Sequence, residues 1–414
     1  MVIILSYHRK MFLKFSSYGF LKNLRFFEPF LYLFFLTSGL SYFQIGLLIA
    51  VREGFVNVFE IPSGIMADLT GRRRVMAIAF LSYMVSFTIF YLFGNFLIFI
   101  PAMILFSLGE TFRSGTHKSM IMEHLDRENM EDKRVEFYGK TRAASRLGSA
   151  ISAVLAALIV FFWGGYNVIF LATLIPYSLG FVLMLTYPKK LDGETSENPR
   201  RDIWNHTVNS FKHLFSESHL KNMFLNSSTH DAFFKVSKDY LSPIVESFAL
   251  SIPLFLGLAG EQRTAIMVGL VYFFVYLSSF ISSMKSSDIL KRVGNLPKAL
   301  NILFYSLSGF FLLIGLTFNL NITIISIIAF LFLFVLKNIR RPMVVGYLSD
   351  YIEPQKRATL LSAESQLRSI FGVIIAPILG FLADFAGLDY TFIAGGIMLL
   401  VLGMIFRIKK SKSE

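Results

Sequence analysis

The sequence predicts an all-α integral membrane protein in which twelve transmembrane helices form two pseudo-symmetric six-helix bundles. Composition, the spacing of apolar runs and an internal repeat lead to this prediction. Of the 414 residues, 54% are hydrophobic and only 16% are charged, whereas a water-soluble chain typically carries roughly 25% charged residues. The mean hydropathy is +0.59. This composition excludes a soluble globular protein and a disordered chain.

Apolar runs long enough to cross a bilayer, about 20 residues each, recur along the whole chain. Each is predicted to be a helix, because a backbone exposed to lipid must satisfy its own hydrogen bonds. The predicted spans cover residues 19–40, 43–67, 75–94, 96–118, 137–162, 166–187, 222–248, 264–284, 298–318, 320–340, 358–384 and 388–407.

The connections between spans alternate between segments without basic clusters and basic segments, which predicts the side of the membrane on which each lies. On the side without basic clusters, the longer 7–8 connection contributes Arg263. The segments GLSYFQ, FGNF, WGGYN, TFNLN and DFAGLD contain no lysine or arginine, whereas basic clusters such as Arg72–Arg74, Lys133–Arg134 and Lys189–Lys190 occupy the other side. The positive-inside rule places the basic connections and both termini in the cytoplasm of a multi-pass protein of the cell (inner) membrane. The net charge of +13 therefore reflects orientation, and no nucleic-acid partner is expected.

The longest polar interruption runs from Tyr187 to Asp202 and separates six spans from six. It predicts an N-terminal six-helix bundle over 1–187, a cytoplasmic linker over 188–220 and a C-terminal six-helix bundle over 221–414. Within the linker, apolar residues recur at helical spacing. These residues, Trp204, Val208, Phe211 and Phe215, fit either an amphipathic helix at the membrane interface or a solvated start to the seventh span.

An internal repeat supports two related halves. Asp68 ends the second span, Asp288 follows the eighth, and each precedes basic residues. The two aspartates are separated by the same interval as ASRLGSAISAVLA from Ala144 and ESQLRSIFGVIIA from Glu364. The first and seventh spans do not keep this interval, so the repeat is imperfect.

A motif with a physical use for each residue lies where the second span meets the cytoplasm, in GIMADLTGRRR from Gly64 to Arg74. Gly64 permits close helix approach, Asp68 is suited to a helix N-terminus and Gly71 permits a tight turn. Arg72 and Arg73 anchor the loop at the inner surface.

This segment resembles the signature of the major facilitator superfamily, G-x-x-x-D-x-x-G-[RK]-[RK], at every position. With twelve spans, a central linker and a repeat, the resemblance covers essentially the whole chain. It implies that the motif latches the two halves together in one state, with Asp68 capping the start of the eleventh helix and pairing with a motif arginine. It also implies a secondary transporter that works by alternating access.

Two departures from family patterns bear on the substrate. Family drug exporters carry a glycine- and proline-rich fifth helix, whereas here Gly148 is followed by no proline in that helix. Drug–proton antiport (multidrug efflux) is therefore the alternative rather than the first prediction. Arg113-Ser114-Gly115 resembles only in part the arginine–glycine pair of the family's fourth helix.

Ionisable residues inside the predicted spans are costly and usually face a polar cavity. Because bases outnumber acids in the fifth and tenth helices, a small anionic or zwitterionic substrate is predicted. The residues predicted to line its cavity are Glu28, Arg52, Glu110, Arg113, His117, Asp231, Lys235 and Lys337. The candidates for proton coupling are Glu28, Glu110, His230 and Asp231. Structural ion pairs, such as Glu28 with Arg52 or Glu110 with Arg113, are the alternative interpretation.

The sequence does not favour an enzyme. None of the seven histidines has an acidic residue five positions on, as a membrane transferase would require, and there is no phosphate-binding glycine loop. The absence of cysteine removes thiolate chemistry. We therefore expect no catalytic residues, no cofactor, no metal, and a monomer whose partners are a small-molecule substrate, protons and the lipid bilayer. A non-transporting membrane receptor stays open as a further alternative.

Overall fold

The structure, a computed structural model, describes residues 2–130, 133–192, 218–284, 286–351 and 357–408. Within these ranges the side chains of some residues, Asp68 among them, are not described. The predicted amphipathic stripe from Trp204 to Phe215 lies outside the described residues. Every regular element in the described ranges is a helix, in agreement with the predicted all-helical class.

Among the described residues, the first part of the chain forms eight α-helices. They are α1 (Val2–Leu21), α2 (Leu31–Thr37), α3 (Tyr42–Thr70), α4 (Arg72–Leu92), α5 (Phe96–Arg113), α6 (Thr116–Arg127), α7 (Arg134–Trp163) and α8 (Val168–Leu185). The second part forms seven more. They are α9 (Ser218–Ser237), α10 (Leu241–Ser251), α11 (Gly260–Met284), α12 (Ser286–Val293), α13 (Leu296–Asn319), α14 (Thr323–Tyr351) and α15 (Arg357–Ile405).

In the described part of the chain, 8 helical segments are long and apolar enough to cross a membrane. They coincide with nine of the predicted spans, since α15 covers the eleventh and twelfth and is interrupted only at Gly387, where φ is 91°. The chain is thus a multi-pass membrane protein. The count of twelve spans and their grouping into two six-helix bundles stay predictions.

Several predicted spans are not single helices. The first was expected as one helix over 19–40, but α1 ends at Leu21 and a short 3-10 turn, Glu28–Phe30, precedes α2. Pro29 explains part of this break, because its ring has no N–H to donate. The fourth predicted span is interrupted at Gly115, where φ is 78°, and the seventh at a 3-10 turn, Lys238–Tyr240.

The chain divides into two compact units, each made of non-contiguous segments. The first unit contains Met1–Ser38, Phe55–Arg200 and Glu261–Phe273, and the second contains Gly39–Gly54, Arg201–Gly260 and Phe274–Glu414. The first part of α3 therefore belongs to the second unit, and most of the first half of α11 belongs to the first unit. The predicted domain bounds at 187 and 220 remain a prediction.

Aromatic rings fill the core of each unit. In the first unit Phe170 lies 4.7 Å from Phe34 and 5.1 Å from Phe90, measured between ring centroids. In the second unit Phe392 lies 5.2 Å from Phe330 and 5.3 Å from Phe311. Rings of this size bury a large apolar area and hold each unit's helices together.

Small residues set the closest helix contacts. In the first unit, a Cβ atom at Gly148 of α7 would lie 2.5 Å from the carbonyl oxygen of Phe20 in α1. A methyl group there would push the two helices apart, because the opposing atom is backbone. By contrast, a Cβ atom at Gly139 of the same helix would have nothing within 4 Å.

We expect Gly148→Ala to lower the free energy of unfolding by about 1–3 kcal/mol, because the added methyl group overpacks the contact between α1 and α7. Thermal unfolding of the purified protein in detergent measures this. The matched control, Gly139→Ala, should be neutral or slightly stabilising, since alanine is the better helix former. Equal effects of the two substitutions would contradict the close contact.

Candidate functional site

A cavity of about 490 Å³ lies within the first unit, between α1, the junction of α5 and α6, and α7. Two helix breaks and one close helix contact bring these elements together. The helix α1 ends at Leu21, the α5–α6 junction turns at Gly115, and Gly148 lets α7 approach α1. The volume is in the range of sites that hold small organic ligands. We call it the first-unit cavity.

The lining of the first-unit cavity is strongly basic. It includes the side chains of Lys22, Arg113, Lys118, Arg142 and Arg146, and no carboxylate is among the residues that line it in the described structure. Tyr138 organises two of these bases: the Arg142 guanidinium lies 5.2 Å and the Lys118 ammonium 5.7 Å from its ring centroid. The cavity therefore presents an excess of positive charge to a ligand.

Glu110 neutralises part of that charge from behind the cavity. Its carboxylate accepts hydrogen bonds from Arg25 at 2.5 Å, from Arg113 at 2.8 Å and from the Tyr83 hydroxyl at 2.6 Å. One acidic group thus serves two guanidinium groups, which leaves one positive charge in this cluster. The Glu110–Arg113 pair considered from the sequence is present, with Arg25 as an additional partner.

His117 lies on the other side of the break in the fourth predicted span. Its ring stacks on Tyr18 with centroids 3.6 Å apart, and its Nε2 atom lies 3.2 Å from the Tyr187 hydroxyl. The sequence predicted one continuous span over 96–118, but the helix ends at Arg113 and a new one begins after Gly115. Arg113 and His117 nevertheless both line the first-unit cavity.

The second unit contains a separate cluster around Glu53, a residue of α3. The Glu53 side chain is 1% exposed and bonds Lys235 of α9 at 2.5 Å and Arg52 at 3.1 Å. The Ser369 hydroxyl of α15 donates to it at 3.2 Å. One carboxylate again serves two bases.

A second group of charges lies nearer the N-terminal end of α9 than Lys235. Asp231 approaches His230 at 3.2 Å and Arg368 at 3.6 Å, while Arg341 bonds Glu364 at 2.8 Å. Lys337 is more distant from the acids: its ammonium lies 4.6 Å from the centroid of the Phe234 ring. No group of three or more acidic or histidine side chains in the described residues is placed to hold a metal ion.

The residues predicted to line one substrate cavity thus fall into different surroundings. Arg113 and His117 line the first-unit cavity, and Glu110 bonds Arg113 without lining the cavity itself. Glu28 begins the 3-10 turn that precedes α2 and does not line the cavity. Arg52, Asp231, Lys235 and Lys337 lie in the second unit.

The predicted loop motif is well defined at its arginines. Gly71 has a φ of 94°, and a Cβ atom there would lie 2.9 Å from the Asp192 side chain. The Arg73 backbone N–H donates to Asp192 at 2.8 Å, and its guanidinium donates to the Tyr187 carbonyl at 2.9 Å. Arg72 pairs with Glu123 at 3.4 Å. The predicted cap by Asp68 on the eleventh helix lies outside the described residues.

Within the second unit, the start of α3 is fastened to α15. The two carboxylate oxygens of Asp384 accept hydrogen bonds from the N–H groups of Tyr42 and Phe43, each at 2.8 Å. Gly46 and Gly380 lie directly against the facing backbone of the other helix. An acidic side chain at a helix N-terminus is favourable because it meets free N–H groups and the positive end of the helix dipole.

Sequence reasoning did not single out Lys22, Lys118 or Glu53 as site residues. Lys22 and Lys118 lie at predicted span ends, where a base is expected as an orientation signal. Glu53 lies inside the second predicted span, where hydropathy gives no information about its partner. The signal that could have found Lys22 is its nearness to Glu28-Pro29, which interrupts the first span.

Membrane-spanning helices that enclose a positively charged cavity are typical of a membrane transport protein, and similarity to known proteins identifies this class. The model of the Major Facilitator Superfamily matches residues 12–370. The chain belongs to this superfamily and is an MFS-type transporter.

The uncharacterized MFS-type transporter YxaM of Bacillus subtilis (strain 168) is 22% identical over 386 residues, which cover 92% of this chain and 91% of YxaM. Among solved structures, the nucleoside transporter NupG superposes with a TM-score of 0.78 at 13% identity, covering 97% of this chain and 99% of NupG. A POT family transporter in complex with 5-aminolevulinic acid has a TM-score of 0.73 at 15% identity, covering 96% and 95%. These structural similarities indicate a shared fold.

We expect Glu110→Gln to lower the free energy of unfolding by about 1–3 kcal/mol, because Arg25 and Arg113 would lose the charge that they share. The measurement is thermal or denaturant unfolding in detergent. Glu136→Gln is the control, since Glu136 is 61% exposed in its pair with Lys140 and exposed pairs contribute little. A Glu110→Gln effect no larger than that of the control would show that the carboxylate does not hold the two arginines.

Proposed function

We propose that this transporter moves a small anionic or zwitterionic solute across the cell membrane by alternating access, with its N- and C-termini in the cytoplasm. The observation that carries the proposal is the first-unit cavity, whose lining holds five basic side chains and no described carboxylate. Guanidinium and ammonium groups in a water-poor site favour carboxylate or phosphate groups. A cationic drug would meet like charge there, which makes drug–proton antiport the weaker alternative.

Contacts made by the starts of α3 and α11 support alternating access. The start of α3 packs on α15 through Asp384, and the start of α11 packs on α7, where Glu261 accepts a hydrogen bond from the Gly165 N–H at 2.8 Å. Both segments adjoin connections predicted to be extracellular. We propose that these contacts break and re-form in each transport cycle.

At the cytoplasmic end of α3, we propose that Gly64, Asp68, Gly71, Arg72 and Arg73 form the opposing latch. In support of a switchable contact, Arg73 is bound to Tyr187 and Asp192 of its own unit. Asp68 is suited to cap a helix N-terminus, as Asp384 does for α3. The two caps would then alternate, each stabilising one state of the transporter.

Proton coupling is the further part of the proposal, with Glu28, Glu110, His230 and Asp231 as candidates. The His230–Asp231 pair is the best supported of these. The His230 side chain is 0% exposed, and its Nε2 atom has no hydrogen-bond partner among the described residues. A histidine of this kind is suited to accept a proton when the site opens to water.

The test is uptake into proteoliposomes that contain the purified protein. We expect flux of anionic and zwitterionic solutes and no flux of neutral sugars or cationic drugs, measured with labelled compounds with and without a pH gradient. Flux restricted to cationic drugs, driven by a proton gradient, would instead establish the antiporter alternative.

The control exploits the absence of native cysteine. Phe43 of α3 and Phe381 of α15 have ring centroids 6.3 Å apart, so Phe43→Cys and Phe381→Cys in one chain place two thiols within reach of a short thiol-specific linker. Crosslinking should stop flux, and a reductant that cleaves the linker should restore it. Undiminished flux after complete crosslinking would contradict alternating access through this contact.

We expect Asp68→Ala to reduce the transport rate about tenfold, since loss of a helix cap costs about 1–2 kcal/mol. Membrane insertion and substrate affinity should be unchanged, because the latch does not touch the ligand. Initial rates and binding constants measured on the same preparation separate these quantities. A wild-type rate in this variant would count against the latch.

A further inference from the structure

The first-unit cavity has a feature beyond its charge. The helix α6 begins inside its wall: Ser114, Gly115, His117 and Lys118 all line the cavity. Gly115 is the N-cap residue, and no side chain caps the helix there. The backbone N–H groups of the first turn of a helix have no partner within the helix. The cavity therefore combines basic side chains with a helix N-terminus.

The bases that surround this helix start come from three elements. Lys22 follows α1, Arg113 ends α5, and Arg142 lies on α7. Lys22 and Lys118 have no carboxylate at ion-pair distance among the residues the structure describes. The Lys22 ammonium lies 5.5 Å from the centroid of the Tyr18 ring, a contact that supplies no negative charge. Glu110 is already bonded by Arg25, Arg113 and Tyr83.

The number of uncompensated charges distinguishes between kinds of anion. A carboxylate group brings one negative charge, whereas a phosphate monoester carries about −1.5 to −2 at neutral pH and three strong acceptor oxygens. Arginine forms paired hydrogen bonds with phosphate, and lysine acts as a point charge beside it. Helix N-termini bind phosphate groups through their free N–H groups and their dipole.

We propose that the first-unit cavity binds a phosphate group of the ligand, at the start of α6 between Lys22, Arg113, Lys118 and Arg142. This inference rests on the proposed transport of an anionic solute and narrows it to a phosphorylated one. The same chemistry is offered by a soluble phosphate monoester and by the phosphate monoester headgroup of phosphatidic acid. The experiment therefore has one arm for each source.

The test compares ethyl phosphate with propionate, which have a similar size and about two and one negative charges respectively. Thermal unfolding of the purified full chain in neutral detergent reports binding, because a ligand of the folded state raises the unfolding temperature. We expect ethyl phosphate to bind about tenfold more tightly than propionate. We also expect Lys22→Gln and Arg142→Gln each to weaken ethyl phosphate binding about tenfold. The loss of one hydrogen bond to a charged group changes a binding constant by about this factor.

The matched control is Lys140→Gln on α7. Lys140 is 60% exposed, is paired with Glu136 and does not line the cavity. It loses the same charge and should bind ethyl phosphate as the wild type does. An equal effect of this variant would show that binding follows the overall charge of the protein, which would overturn the proposed site.

The remaining outcomes separate this inference from the proposed function. Propionate binding as tightly as ethyl phosphate overturns the phosphate site and leaves anion transport standing. If no anion stabilises the protein and the liposome assay shows only neutral or cationic substrates, both proposals fail. In the lipid arm, nanodiscs with and without phosphatidic acid are compared. If phosphatidic acid stabilises the protein and ethyl phosphate does not, and if Lys22→Gln removes that stabilisation, the phosphate site is supported and a soluble ligand is overturned.

Discussion

The arrangement of the first unit depends on one carboxylate that is shared by two arginines. A charged side chain inside the hydrocarbon layer costs several kcal/mol unless it is paired or faces water. Glu110 satisfies Arg25 from the break after α1 and Arg113 from the end of α5, and Tyr83 of α4 completes its hydrogen bonds. These contacts join α4 and α5 to the non-helical stretch after α1. They also leave Lys22 and Lys118 of the cavity without a described acid at ion-pair distance.

The second unit follows the same rule with different residues. Glu53 of α3 lies between Lys235 and Arg52 and is almost fully buried. The first part of α3 carries this carboxylate to α9 and α15. The ion pair therefore holds the first part of α3 within the second unit. Removing one partner of such a pair leaves a buried charge uncompensated. An arrangement of the helices that separates Glu53 from its bases must therefore give these charges new partners or water.

The helix breaks have a common physical basis. Irregular backbone within a membrane is tolerated where it lines a polar cavity, because its N–H and C=O groups then find partners other than lipid. The interruption at Gly115 lies in the wall of the first-unit cavity, and the end of α1 lies beside it. Each break replaces continuous helix with polar backbone at the point where charged side chains gather. The broken helices and the basic lining are thus two aspects of one site.

The sequence by itself determined that this chain is a helical membrane protein, roughly where most of its spans begin and end, and that its loop motif belongs to the major facilitator superfamily. These properties are local, because hydropathy and motif spacing depend on neighbouring residues only. The tertiary structure alone decided that Glu110 serves Arg25 as well as Arg113, that Glu53 bonds Lys235, and that Lys22 faces a cavity. These contacts join residues far apart in the chain, and they depend on which glycines let helices approach and on where a proline or glycine interrupts a span. Hydropathy carries no information about either.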